Sequence, residues 1–100
     1  MDEIKIKLDK KGDGTFYSKD GEELIGEMVF NIQGSNLTVF HTEVLLKAEG
    51  KGLAKKLLDA MVEYARNKNL KVIPLCPYVY AQFKRHPEMY ADLWNKSVTL

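Results

Sequence analysis

The hydrophobic pattern changes period once, near the middle of the chain. In the first half, Ile4, Ile6 and Leu8 alternate with Lys5, Lys7 and Asp9, the two-residue period of a half-buried strand. Lys10-Lys11-Gly12-Asp13-Gly14 reads as a turn, and Thr15–Ser18 as a short second strand. Asp20-Gly21 is a dipeptide that tight hairpin turns favour, because both residues tolerate positive φ. Beyond it Leu24, Met28, Phe30 and Ile32 are expected on one face of a long third strand. Gly34-Ser35-Asn36 turns the chain into a fourth strand, Leu37–Val44. From Leu53 the period becomes helical: Leu53, Ala54, Leu57, Leu58, Met61, Val62 and Ala65 form one apolar stripe. Arg66 and Lys68 suit the negative end of the helix dipole, and Asn69 can end it. Leu70–Leu75 is a brief, mostly apolar fifth strand. Strand, helix, strand in this order requires a right-handed crossover, which makes the fourth and fifth strands parallel neighbours. The windows Met28–Thr42 and Val72–Phe83 carry no charge and are expected at the centre of the sheet. The aromatic tail, Tyr78–Trp94, predicts one or two short helices. The fold class is α/β (α+β): an antiparallel N-terminal meander, one βαβ unit and a short helical C-terminus.

Composition narrows the possibilities. With 100 residues, 45% of them hydrophobic and 29% charged, the chain reads as one domain over residues 1–100. A net charge of +1 lacks the basic footprint of a dedicated nucleic-acid binder. No run approaches the roughly 18 apolar residues of a membrane span. The charged start, Asp2-Glu3-Ile4-Lys5, is not a signal core. A single cysteine, Cys76, cannot form an internal disulfide and fits a reducing, cytoplasmic setting.

The chemistry concentrates around Glu49-Gly50-Lys51-Gly52-Leu53-Ala54. The long helix lacks a Ser, Thr, Asp or Asn at its start, so its first amides have no side-chain partner. Two glycines leave the backbone open to a ligand. Lys51, Lys55 and Lys56 put positive charge where the dipole disfavours it, a conflict that a bound polyanion would relieve. The alternative is a glycine-rich loop with solvated lysines.

The run Val44-x-Leu46-x-x-Glu49-Gly50-Lys51-Gly52-Leu53-Ala54, followed by Lys55-Lys56-Leu57-Leu58, resembles the acetyl-CoA motif of the GNAT N-acetyltransferase superfamily. That motif reads Arg/Gln-x-x-Gly-x-Gly/Ala at the opening of the helix after strand four; Gly52 and Ala54 match it. The resemblance spans Val39 to Trp94. His41-Thr42-Glu43-Val44, Pro74-Leu75-Cys76-Pro77-Tyr78 and the brevity of the chain resemble the minimal, single-domain branch. The resemblance implies a GNAT-like mixed sheet and acetyl-CoA as cosubstrate. Amides from Glu49, Gly50, Lys51, Gly52, Leu53 and Ala54, with Lys55, would hold the CoA pyrophosphate. The strand edge at Thr42 and Val44 would pair with the pantetheine arm, where the two parallel strands splay. Glu49 departs from the motif's Arg or Gln, and a carboxylate there should weaken cofactor binding. The family also places an Asn after strand five and a Tyr seven residues later, where this chain has Cys76 and Phe83.

Acetyl transfer to an amine needs a nucleophile, a stabilised oxyanion and a proton for the leaving thiolate. Cys76 can serve as a nucleophile that carries the acetyl group, or as the acid that protonates CoA. Its alternative is an inert buried cysteine. By alternation His41 shares a side with Leu37, Val39 and Glu43; facing the splayed opening, it would be a base. Otherwise it is a core or surface histidine. Glu43 is a second candidate base, or a solvated carboxylate. Tyr78 or Tyr80 could supply a phenol or simply pack, and His86-Pro87 reads as a helix end. Cys76, His41 and His86 lack zinc-type spacing, so no metal site is assigned. The sequence thus reads as an acetyl-CoA-dependent N-acetyltransferase, monomeric or weakly dimeric. Its acceptor would be a small-molecule or protein amine. The alternative is a CoA-binding or interaction module of the same fold.

Overall fold

A computed structural model describes residues 3–98. Five strands form one sheet in sequential order: β1 (Lys5–Leu8), β2 (Asp13–Asp20), β3 (Glu23–Gln33), β4 (Asn36–Val44) and β5 (Lys71–Pro74). The first four make an antiparallel meander, and β5 joins β4 in parallel. A 3₁₀ turn at Leu46–Ala48 leads to α1 (Leu53–Asn67), and α2 (Pro77–Arg85) and α3 (Pro87–Tyr90) follow β5. Beyond α3 the chain returns to the sheet edge. The Val72 N–H donates to the Leu93 carbonyl at 2.6 Å, and the Val72 carbonyl accepts from Asn95 N–H at 2.9 Å. No described helix is long and apolar enough to cross a membrane.

Each helical boundary has a local cause. Of the expected stripe of α1, Leu53, Leu57, Leu58, Met61, Val62 and Ala65 are buried, and Ala54 is half-buried. Asn69 ends it in the left-handed region, φ 57°, as a residue beyond a helix C-cap does. Pro77 opens α2, where its fixed φ suits the first helical position and its missing N–H loses no bond. Phe16, Met28, Phe30, Leu37 and Val39 face α1, with Val79, Phe83, Tyr90 and Leu93 completing the core.

Two β-bulges alter faces that strict alternation assigns. Between β2 and β3, Ser18 pairs with Gly26 but Lys19 pairs with Leu24, so Ile25 is an extra residue. Ile25 is therefore buried and Leu24 exposed, the reverse of the expected pattern. Between β3 and β4, Phe30 pairs with Val39 and Val29 with His41, leaving Phe40 as the extra residue. From that point β4 turns its other side to the helices. Thr42, opposite buried Met28, faces the core, whereas His41, opposite Val29, faces away. The window Val72–Phe83 is another adjustment. It supplies β5 and α2 rather than the middle of the sheet, and its inward residues are buried by the helices and the returning tail.

Candidate functional site

The parallel pairing of β4 with β5 ends early. Asn36, Leu37, Thr38 and Val39 pair with Lys71, Val72, Ile73 and Pro74, and there the ladder stops. One further bond, Cys76 N–H to the Val39 carbonyl at 2.9 Å, holds the end of the fifth strand. Beyond it Phe40–Val44 continue along β3 with no strand among the described residues on their other side, so the sheet opens there.

Cys76 stands at the apex of this opening. It is 1% exposed, and it is the N-cap residue of α2, with no side-chain cap on that helix. Its Sγ lies 3.3 Å from Thr42 Oγ1. The second bulge produces this contact, because without it Thr42 would face the opposite side. A sulfur at a helix N-terminus sits where the dipole favours negative charge, and the Thr42 hydroxyl can donate to it. Sequence reasoning missed the Thr42 side chain as the thiol's partner. Nothing local in the sequence marks a bulge at Phe40.

The glycine loop leads from the 3₁₀ turn after β4 into α1. Gly50 and Gly52 adopt φ values of 83° and 77°, and Gly52 is the N-cap of α1. No side chain caps α1; its first bond across the cap runs from Lys56 N–H to the Gly52 carbonyl at 3.1 Å. The amides of Leu53, Ala54 and Lys55 precede any helical acceptor. A Cβ at Gly50 or Gly52 would meet nothing within 4 Å, so the loop backbone is open to an approaching group. Its glycines are required by conformation rather than by crowding. These are the features a phosphate needs, and the residues present fit the pyrophosphate of CoA. Glu49 ends the 3₁₀ turn at this loop, donating its N–H to the Leu46 carbonyl.

The lysines divide their roles. Lys55 binds Asp59 one turn on, at 2.9 and 3.0 Å, and that hydrogen bond raises its pKa above the usual 10.5. Lys51 lines a groove of about 260 Å³ with Lys19, Lys47 and Leu53; Lys47 is paired with Glu23. This groove lies on the hairpin side of the α1 start and does not include Cys76. The groups suited to acyl chemistry are thus at the opening of the sheet rather than in the groove.

The sequence-derived residues fall into two groups. Thr42 and Cys76 meet at the opening, and residues 49–55 form the loop and first turn of α1, where Lys55 acts on Tyr78 of α2. His41 does not join them, a correction that follows from the bulge at Phe40. Its imidazole lies 3.8 Å from Glu27, with 52% of the side chain exposed. Glu27, His41 and Glu43 bring ligand-type atoms within 4.8 Å of one another on the sheet face away from the helices. Phe83, at the family's phenol position, is fully buried and stacked on Tyr90 with ring centres 4.7 Å apart. Tyr78, in the first turn of α2, is half-buried; burial raises its phenol above the usual 10.0, and Lys55 opposes that shift. Tyr80 packs edge-on against Trp94.

Residues 15–93 match a family model described as GCN5-related N-acetyl-transferase. A GCN5-like protein from Staphylococcus aureus, solved by NMR, is 30% identical, with 95% of this chain and 91% of that chain covered and a TM-score of 0.70. The ribosomal-protein-alanine N-acetyltransferase of Brucella melitensis shares the fold at 20% identity and TM-score 0.63, covering 91% of this chain and 70% of that one. A GNAT family acetyltransferase from Elizabethkingia anophelis, solved with acetyl-CoA bound, is similar in fold at 18% identity and TM-score 0.58. The match covers 78% of this chain and 53% of that one. No curated protein sequence matches the chain.

Proposed function

The chain belongs to the GCN5-related N-acetyltransferase family, and from that membership we propose that it moves an acetyl group from acetyl-CoA to an amine through Cys76. The observation that carries this reading is the buried thiol at the opening of the sheet, hydrogen-bonded to Thr42 at the start of α2. The uncapped start of α1 holds the CoA pyrophosphate on the amides of residues 50–54, with Lys55 beside them; the Glu49 amide, expected among them, is spent on the Leu46 carbonyl. The free edge of β4 at Thr42 and Val44 receives the pantetheine arm.

In the first step the Cys76 thiolate bonds to the acetyl carbon and the CoA sulfur departs, taking up the proton that Cys76 gave up. In the second, the amine nitrogen attacks the Cys76 thioester, and the amine's proton returns to the released thiolate. Phe83 supplies no proton, which is why the thiol carries the chemistry in this chain. Glu49 favours a second reading, a CoA-binding module without turnover, because its carboxylate opposes the pyrophosphate.

A titration of ¹⁵N-labelled protein with acetyl-CoA, followed by intact mass spectrometry, tests both. We expect amide shifts at Gly50–Ala54 and a gain of about 42 daltons, the mass of one acetyl group, that Cys76→Ala abolishes. Shifts without added mass, together with amine acetylation that Cys76→Ala slows, would indicate direct transfer with Cys76 as the acid. Shifts with no acetylated product would favour the binding module, and no shifts would overturn the cofactor site.

A further inference from the structure

All three helices pack on one face of the sheet, and among the described residues nothing covers the opposite face. That face carries Lys5 and Lys7 from β1, Thr15 and Tyr17 from β2, Glu27 and Val29 from β3, and His41 and Glu43 from β4, with Phe40 bulged onto it. Thr15, Tyr17 and Val29 are half-buried by their neighbours, while Phe40 keeps 45% of its surface exposed. Lys7, Thr15, Val29 and Phe40 border a shallow groove of about 420 Å³. Charge is segregated across the face. Lys5 and Lys7 occupy the β1 edge; Glu27 and Glu43, directly opposite each other on β3 and β4, occupy the other side. Like charges so placed repel, and neither carboxylate has a lysine or arginine partner among the described residues.

We infer that this face binds a second copy of the chain, face to face, about a two-fold axis parallel to the strands between β2 and β3. The registers form a straight row, Lys5–Tyr17–Glu27–Glu43. A two-fold rotation about that axis reverses the order of the strands without shifting positions along them. It therefore sets Lys5 of one copy over Glu43 of the other, Tyr17 over Glu27, and Thr15 over Val29. Every contact occurs twice, as an isologous interface requires. Stacked sheets lie about 10 Å apart, a gap that extended lysine and glutamate side chains span together. The occupant is a second copy rather than an unrelated protein because the face already holds both halves of its charge pairing. Four strands over about seven residues give a footprint of roughly 450 Å² per copy. That is small for a stable complex, so the dimer dissociates on the order of 100 µM.

Sedimentation equilibrium on the full chain, from 10 µM to 1 mM at low and high salt, tests this independently of acetyl transfer. We expect a monomer–dimer equilibrium that salt weakens. Lys5→Glu and Glu43→Lys should each weaken self-association about tenfold, because each places like charges at both contacts. Mixing the two variants should restore dimers as the heterodimer. There the two substituted side chains carry opposite charges and meet each other, and the unsubstituted Lys5 and Glu43 meet at the second contact. Amide spectra check that both variants are folded. A monomer at 1 mM in low salt overturns the proposal, and so does a dimer that the single reversals leave unchanged or that mixing fails to restore.

Discussion

Gly26 links the packing of the sheet to the start of α1, and Gly26→Ala perturbs both at once. Gly26 lies on the helix-facing side of β3, between Ser18 and Val44 on the adjoining strands. A Cβ there would sit 2.7 Å from Leu53 Cδ2, 3.2 Å from Leu53 Cγ and 3.5 Å from Leu57 Cδ1. Carbon atoms in contact settle near 3.5–4.0 Å, so Leu53 must retreat by about 1 Å. Leu53 is 3% exposed and is the first residue of α1, so its retreat carries the first helical turn with it. Overpacking of this kind costs about 1–3 kcal/mol. The loss of glycine's freedom in the unfolded chain returns up to about 1 kcal/mol. With the overpacking taken at about 2 kcal/mol, the net destabilisation is about 1–2 kcal/mol and lowers the melting temperature by roughly 4–16 °C. Urea unfolding followed by circular dichroism measures it, in a cycle with Leu53→Ala and the double variant. Leu53→Ala alone costs about 2–4 kcal/mol, but it removes the atoms the new methyl meets. The double variant should therefore be more stable than the sum of the singles by at least about 1 kcal/mol. If Gly26→Ala is as stable as the parent, or if the two changes add within about 0.5 kcal/mol, the close approach does not govern this junction.

Two further outcomes follow from the site and its supports. Thr42→Val keeps the shape of the side chain but removes the hydroxyl 3.3 Å from Cys76 Sγ. Acetylation of Cys76 by acetyl-CoA, read by mass, should slow about tenfold, the effect of losing a hydrogen bond worth about 1.5 kcal/mol to a charged group; an unchanged rate would show that the contact has no part in activation. The Arg66 guanidinium grips Asp92 at 2.9 and 3.0 Å, and that hydrogen bond lowers the carboxyl pKa below its usual 3.8. A depressed folded-state pKa adds stability above the unfolded value and loses it as pH falls through the folded one. Asp92→Asn should cost about 1 kcal/mol at pH 7, solvent screening included. The difference from the parent should shrink as pH falls below 3.8 through the lowered folded-state value, and a constant difference across that fall in acid unfolding would contradict the pairing.

Local pattern was enough to set the elements and their order. The change from a two-residue to a helical period marks the βαβ unit, and the crossover rule makes β4 and β5 parallel neighbours. The uncapped glycine loop, the proline that starts α2 and Asn69 at the end of α1 are all legible because each acts within a few residues of itself. Which side of the sheet each residue faces came instead from tertiary packing. A bulge depends on how one strand meets its partner, and strand-pairing register is not written in local alternation. The extra residue at Phe40 turns Thr42 toward Cys76 and His41 away from it, so the thiol's partner is the neighbour of the residue that alternation favours. The extra residue at Ile25 exchanges buried and exposed positions with Leu24 in the same way. Placing Cys76 beside Thr42 joins residues 34 positions apart. That contact arises only when the end of β5, the first turn of α2 and the bulged half of β4 compete for the same space at the edge of the core.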